Sequence, residues 1–355
     1  MPSTDRRIAP ATLNAFAASL LAAAGARDAD SAIVANHLVE ANLKGHDSHG
    51  AGLLPAYIHH VRRNLVDPSG QDRTLRETAI LLQVDAGGGW GAPAGFRLID
   101  RAGEKAKAEG LAAATIGNVH HLGRVGAYGE RAAEAGLVSL HFVNVTDHAP
   151  LVAPYRGSDA RFGTNPVCIA FPGTAKRPAF VHDMATSRIA LGKVRVAANK
   201  GVPVPAGSLI DAAGLPTTDP SGMAGFDIQG ALTPVGRHKG YGLAFACELL
   251  AGVLSGTGTI QPGNRRRGGL QNSMLSILVD PQAFGDRDWM EAEIEAMADY
   301  ALASPPMDWD SPVLYPGDPE RASAGKRRRE GIPMDETTID QLNKAAETAG
   351  CVARL

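Results

Sequence analysis

Apolar residues recur at helical spacing close to the N-terminus. Leu13, Phe16, Ala17, Leu20, Leu21 and Ala24 follow an i, i+3, i+4, i+7 pattern that predicts a helix over 12–24, with Asn14 and Ser19 on other faces. A second helix is expected over 31–44, with Val34, His37, Leu38 and Ala41 as its buried stripe. Gly25 would close the first helix and Asp30 would cap the second. A third is expected from about Leu53 to Asn64, with Pro55 tolerated in its first turn. Residues 66–77 are polar, carry Pro68 and Gly70, and read as a linker.

From residue 79 the period changes. Short apolar runs at Ala79–Val84, Leu111–Ile116, Leu137–Val145, Pro166–Phe171, Ala179–Val181 and Met274–Val279 read as strands. Helical stretches at Pro93–Glu109, Gly126–Ala135 and Tyr241–Leu254 are interspersed with them, which makes the fold class α/β. Residues 200–225 are rich in Gly, Pro and Thr and read as loop. Two helices, about 289–303 and 337–349, close the chain. The sequence between them is Pro-rich and basic, and its Lys326-Arg327-Arg328-Arg329 run reads as solvated surface.

Composition narrows the function. Of 355 residues, 44% are hydrophobic and 20% charged, which is globular. Lys+Arg (35) balances Asp+Glu (37), so no general attraction to nucleic acid or an anionic membrane is expected. Cys168, Cys247 and Cys351 are odd in number and form no CxxC pair, which points to a reducing cytoplasm. No apolar run approaches the ~20 residues of a membrane helix. Arg6-Arg7, the apolar stretch after them and Ala24-Gly25-Ala26 have the outline of an export signal. Asp5, Pro10 and the amphipathic spacing favour an ordinary helix.

Gly87, Gly89 and Ala92 fit the dinucleotide fingerprint G-x-G-x-x-A after a strand. The next strand, however, ends Thr115-Ile116-Gly117-Asn118 with no acid for a ribose, and Pro93 stands where the phosphate-binding helix would donate an amide. A plain turn is favoured there.

The chemistry concentrates in clusters around the histidines. Gly45-His46-Asp47-Ser48-His49-Gly50 packs two imidazoles, a carboxylate and a hydroxyl between glycines. If helix continues past Gly50, then His49, Leu53 and Tyr57 share one face and project into one cavity. The competing reading is a turn capped by Asp47 and Ser48. Asn118-Val119-His120-His121-Leu122-Gly123-Arg124 follows a strand directly, where α/β proteins place their sites. An imidazole there can act as acid or base, and the Arg124 guanidinium can clamp a carboxylate or phosphate. Asp183-Met184-Ala185-Thr186-Ser187 is a third cluster. Arg237-His238-Lys239-Gly240-Tyr241-Gly242 is a fourth: an anion site ahead of a helix, or basic surface. His46 and His49 could share a metal with His59 or His121, but no HExxH exists and no metal is expected.

Together these segments resemble the type-2 malate/L-lactate dehydrogenase family. The resemblance rests on GHDSHG (45–50), NVHHLGRVG (118–126), RFGTNP (161–166), DMATSRIALGKVRVA (183–197), KGVPVPAG (200–207) and HKGYGLA (238–244). Within the family, SDARFGTNPVC (158–168) and YPGDPE (315–320) resemble the hydroxycarboxylate dehydrogenase B, or hydroxyphenylpyruvate reductase-like, branch. The resemblance implies a non-Rossmann fold that uses NADH or NADPH to reduce a 2-oxo acid. It also implies a cytoplasmic homodimer. His121 would be the catalytic acid/base and His49 the second active-site histidine, with Tyr57 beside them. Cofactor contacts would come from His49, Gly123, Arg124, Val125, Val181, His182, Asp183, Met184, Ala185, His238, Asn272, Gly317, Asp318, Pro319 and Glu320. Where many relatives carry an arginine for the substrate carboxylate, this chain has Leu53, so Arg124 is the expected replacement. A Leu-lined pocket would suit phenylpyruvate or hydroxyphenylpyruvate better than malate or lactate; 2-oxoglutarate is another candidate. The alternatives are a reductase of a cyclic imine acid (pyrroline- or piperideine-2-carboxylate) and, more distantly, a metal-dependent hydrolase. Residues 1–75 and 285–355 would form a helical part, and 76–284 the cofactor-binding part.

Overall fold

The computed structural model describes residues 6–223, 228–264 and 266–355. Residues 1–5 of the helical part, and 224–225 of the expected loop, lie outside the described residues.

The chain opens with β1 (Arg6–Ile8), α1 (Pro10–Ala23), α2 (Asp28–Leu43) and, after two 3-10 turns, α3 (Leu54–Arg62). Leu13, Phe16, Ala17, Leu20 and Leu21 of α1 are all buried, as the amphipathic spacing predicts. Fully burying a leucine is worth about 1.5–3 kcal/mol, so α1 is integral to the core. Asp30 does not cap α2, because the helix starts a turn earlier, with Arg27 at the cap position. Asp30 instead accepts from the Arg27 guanidinium at 2.7 Å.

The expected linker contains β2 (Arg73–Glu77), an edge strand with every residue exposed. Charges on such an edge discourage pairing with another chain. Next come β3 (Leu81–Asp85), α4 (Gly91–Glu109) and β4 (Leu111–His120). α4 ends on Gly110 at φ 84°, a left-handed cap that glycine adopts without cost. β4 runs past Ile116 because Gly117 and Asn118 form a bulge and pairing resumes at Val119. That bulge carries the strand to the paired histidines.

α5 (Gly126–Glu134), β5 (Val138–Thr146), β6 (Val167–Phe171), β7 (Phe180–Met184) and α6 (Leu191–Lys200) follow. The expected loop includes the two-residue strands β8 (Leu209–Ile210) and β9 (Pro216–Thr217), with β10 (Ala231–Leu232) beyond it. α7 (His238–Cys247) passes into a π turn, Glu248–Val253. β11 (Gln271–Val279), α8 (Arg287–Leu302), α9 (Asp318–Glu330), β12 (Ile332–Met334) and α10 (Glu336–Thr348) complete the chain.

The main sheet has the order β2-β3-β4-β11-β5-β6-β7. β3 and β4 are parallel, joined through α4, and the other pairings are antiparallel. One core joins the chain ends: α1, α2 and α3 pack with β12 and α10 around Leu13, Leu38, Leu54, Ile332 and Leu342. A second lies under the sheet, around Leu98, Ile116, Tyr128 and Met274.

Ion pairs fix two C-terminal helices, α8 and α9. The basic run closes α9 and is largely solvated, as expected, with Lys326, Arg328 and Arg329 exposed; Arg327 pairs with Asp47 at 2.6 Å and Arg328 with Glu40 at 3.1 Å. α8, expected with the chain-end helices, engages the β6–β7 hairpin: Arg177 pairs with Glu295 (3.2 Å) and with Asp299.

Candidate active site

The first histidine cluster does not form a continuous helix. Asp47–His49 and Ala51–Leu53 are separate 3-10 turns, with extended Gly50 between them. Asn42 staples this segment: Nδ2 donates to Asp47 Oδ1 (2.7 Å) and Oδ1 accepts from the Ala51 amide (2.8 Å). A Cβ on Gly50 would overlap that Asn42 side chain, so the turn needs glycine. The shared-face argument thus had the wrong helix geometry. Even so, His49 and Tyr57 come together around a third residue, His121.

His121 follows β4 directly. Its Nδ1 is 2.8 Å from the Tyr57 hydroxyl, and its ring stacks on His49 with centroids 5.7 Å apart. No hydrogen-bond partner is present for its Nε2 among the described residues. His121 and His49 are partly exposed, while their neighbour His120 is completely buried. His120 Nε2 meets His60 Nδ1 at 2.9 Å, and the His120 ring stands edge-on to Tyr57 and Trp90. Gly91 passes so close beneath that an added Cβ would overlap the carbonyl oxygens of both His120 and His121.

The environment keeps these rings neutral. His121 is held well below the usual histidine range, first by burial and then by the neighbouring His49, His120 and His37. Burial, His46 and Arg124 lower His49 to about 4. Burial and His60 lower His120 to about 3. Burial raises the Tyr57 phenol above its ordinary value, so it keeps its proton.

Arg124 differs from the expected free clamp. It is 3% exposed, and its guanidinium is paired with Glu130, which also holds Lys44 at 2.6 Å. Its backbone amide donates to His37 Nε2 at 3.2 Å, so a histidine assigned to a helix stripe supports the site loop. The positive charge still acts locally, lowering His49 and His37 and opposing the burial that raises Asp183. Leu53 packs partly buried against the chain-end core.

Hydrogen bonds link several of the segments implied as cofactor contacts. Asp183 Oδ2 accepts from the Gly126 amide at 2.6 Å, joining β7 to the loop of Gly123, Arg124 and Val125. His46 Nε2 is 3.2 Å from Glu320 Oε1, and that hydrogen bond lowers the Glu320 carboxyl. Arg321 donates to the Ala179 carbonyl at 3.1 Å, bringing Gly317–Glu320 against the start of β7. His238 is exposed at the start of α7, and the Val235 amide just before it donates to Thr186 O at 2.8 Å. Asn272 is used internally at both ends: Oδ1 accepts from the Leu122 amide (2.7 Å) and Nδ2 donates to Asn144 O (2.9 Å). Its side chain therefore orders the 121–124 loop. His46 is engaged by Glu320 and His59 is exposed on α3, and no group of three metal-binding side chains occurs among the described residues.

Comparison with known proteins places the chain in a family. The family pattern described as malate/L-lactate dehydrogenase matches residues 8–343. The chain is 40% identical to hydroxycarboxylate dehydrogenase B of Escherichia coli K12 over 341 residues, 96% of this chain and 93% of that one. It is 46% identical to an L-lactate dehydrogenase of Cupriavidus necator over 290 residues, 82% and 83% of the two chains. The solved sulfolactate dehydrogenase of Methanocaldococcus jannaschii superposes with a TM-score of 0.84 at 30% identity, covering 97% and 98%. Among the described residues, no helix is long and apolar enough to cross a membrane. The chain belongs to the malate/L-lactate dehydrogenase family and is an oxidoreductase.

Proposed function

We propose that this chain catalyses reversible hydride transfer between a nicotinamide dinucleotide, NADH or NADPH, and C2 of a 2-oxo acid, giving the 2-hydroxy acid. One observation carries the reading: a partly open imidazole, His121, is fixed at Nδ1 by Tyr57 and has Nε2 unpaired among the described residues.

The donor set fits such a cofactor. Asp183, Asp318 and Glu320 are carboxylate acceptors suited to ribose hydroxyls and a carboxamide. His238 and Lys239 are exposed at the start of α7 for phosphate oxygens. When bound, the nicotinamide supplies or accepts the hydride.

The protein's part is proton management. In the oxidative direction His121 must be neutral with a bare Nε2. That state carries its proton on Nδ1, donating to the Tyr57 oxygen, and the depressed basicity keeps the ring neutral at pH 7. Nε2 then accepts the hydroxyl proton. In the reductive direction His121 must be charged, and it donates from Nε2 to the carbonyl oxygen as negative charge grows there. An oxo-acid carboxylate beside the ring favours the cation, so substrate binding and proton uptake are coupled. His49, stacked against His121, orients the carbonyl, and Arg124 provides a positive field for the anion.

The division into a chain-end helical part (1–75 and 285–355) and a central cofactor part belongs to this reading, with α8 moved to the central part. So do a cytoplasmic setting, consistent with three free buried cysteines, and a homodimer. A second copy would cover the exposed face of Trp289, Met297, Tyr300, Met307 and Trp309. The test is a spectrophotometric panel of oxo acids and one cyclic imine acid against NADH and NADPH. Oxidation of cofactor by an open-chain oxo acid supports the reading; turnover of the imine alone replaces the substrate class, and turnover of none refutes it.

A further inference from the structure

The fourth histidine cluster contains charges that proton transfer does not use. Arg237, just ahead of α7, has φ 60° and ψ −118°, and Arg156, in the turn after Pro154, has φ 70°. Both lie in the left-handed region, where a side chain is costly and the surroundings must hold it. The two guanidinium carbons lie 5.3 and 5.8 Å from the centroid of one ring, that of Tyr155. The His238 ring centroid is 5.9 Å from the same ring. Among the described residues neither arginine is in an ion pair, whereas nearby Arg161 is taken by Asp159. Two guanidinium groups thus flank one aromatic ring, and among the described residues neither has a carboxylate partner. The hydrogen bond from Val235 to Thr186 places this cluster next to the segment that carries Asp183.

We propose that Arg156 and Arg237 seat the 2′-phosphate of NADPH, so that the chain prefers NADPH to NADH. The proposal rests on the hydride-transfer reading above. A 2′-phosphate is close to a dianion at neutral pH and accepts paired N–H bonds from guanidinium groups. A 2′-hydroxyl offers neither, and NADH would leave both guanidinium groups without a counter-charge.

The test compares wild type, Arg156→Ala, Arg237→Ala and the double variant. KM for NADPH and for NADH is measured with one oxo acid, and binding of 2′,5′-ADP and of 5′-AMP by calorimetry. Wild type is expected to bind 2′,5′-ADP the more tightly. Each single change should raise the NADPH KM about 10-fold and the double change about 100-fold, while the NADH KM moves less than about 2-fold. A parallel loss of 2′,5′-ADP affinity supports the assignment. The NADH turnover reports that each variant is folded. A double variant with wild-type KM for NADPH, or a wild type that binds the two nucleotides equally, overturns it. If no oxo acid is turned over with either cofactor, the hydride-transfer reading fails, and the calorimetry still decides this site separately.

Discussion

Lowering the pH from 8 to 5.5 should destabilise this protein through its buried imidazoles. His37, His120 and His141 are buried, and burial lowers each to about 3. In the unfolded chain a histidine titrates near 6.5, so below that pH the unfolded state binds protons that the native state refuses. The stability these neutral rings permit is therefore complete above about pH 7 and is lost as pH falls from about 6.5 towards 3. At pH 5.5 each such ring costs about 1.4 kcal/mol, or about 4 kcal/mol for the three. His49, lowered to about 4, adds a similar share, giving about 6 kcal/mol as an upper bound for the four, and His121 acts in the same direction. That rivals the whole stability of an ordinary domain, about 5–15 kcal/mol. His141 isolates one share: it lies between Ser276 Oγ (2.8 Å) and Ser139 Oγ (3.0 Å), remote in sequence from the site clusters. Urea unfolding at both pH values gives the difference directly. His141→Gln should reduce the pH-dependent loss by about 1.4 kcal/mol. A stability unchanged between pH 8 and 5.5, or an identical loss in the variant, would refute the reasoning.

Other outcomes are equally specific. Tyr57→Phe removes the partner of His121 Nδ1 and should lower kcat about 10–100-fold with little change in cofactor affinity, as steady-state kinetics will show. Arg124→Met should raise KM for the oxo acid about 10-fold or more while the protein stays folded, since Lys44 still meets Glu130; an unchanged KM removes Arg124 from substrate binding. Gly91→Ala forces a methyl group against the His120 and His121 carbonyls, and should cost about 1–3 kcal/mol in urea unfolding and depress kcat as well.

The sequence made the helices of the first core readable because their apolar residues repeat with the helical period, as Leu13, Leu20 and Leu38 show. α9 carries no such period: its charged sequence buries only Ala324, and tertiary ion pairs hold it in place. β2 was equally silent, since an all-exposed edge strand has no alternation to detect. At the site, local density exposed His49 and His121, but their meeting depends on Gly50 breaking the helix that was expected to align them. Glu130 was missed as the partner of Arg124 because that pairing forms only when the loop packs on α5. A polar His37 within an apolar stripe was a signal that could have been used.

The central claim is that one imidazole moves the proton. His121→Asn should keep dinucleotide affinity within about 2-fold by fluorescence titration while kcat falls about 100–10,000-fold in both directions. Undiminished turnover in that variant would contradict the account.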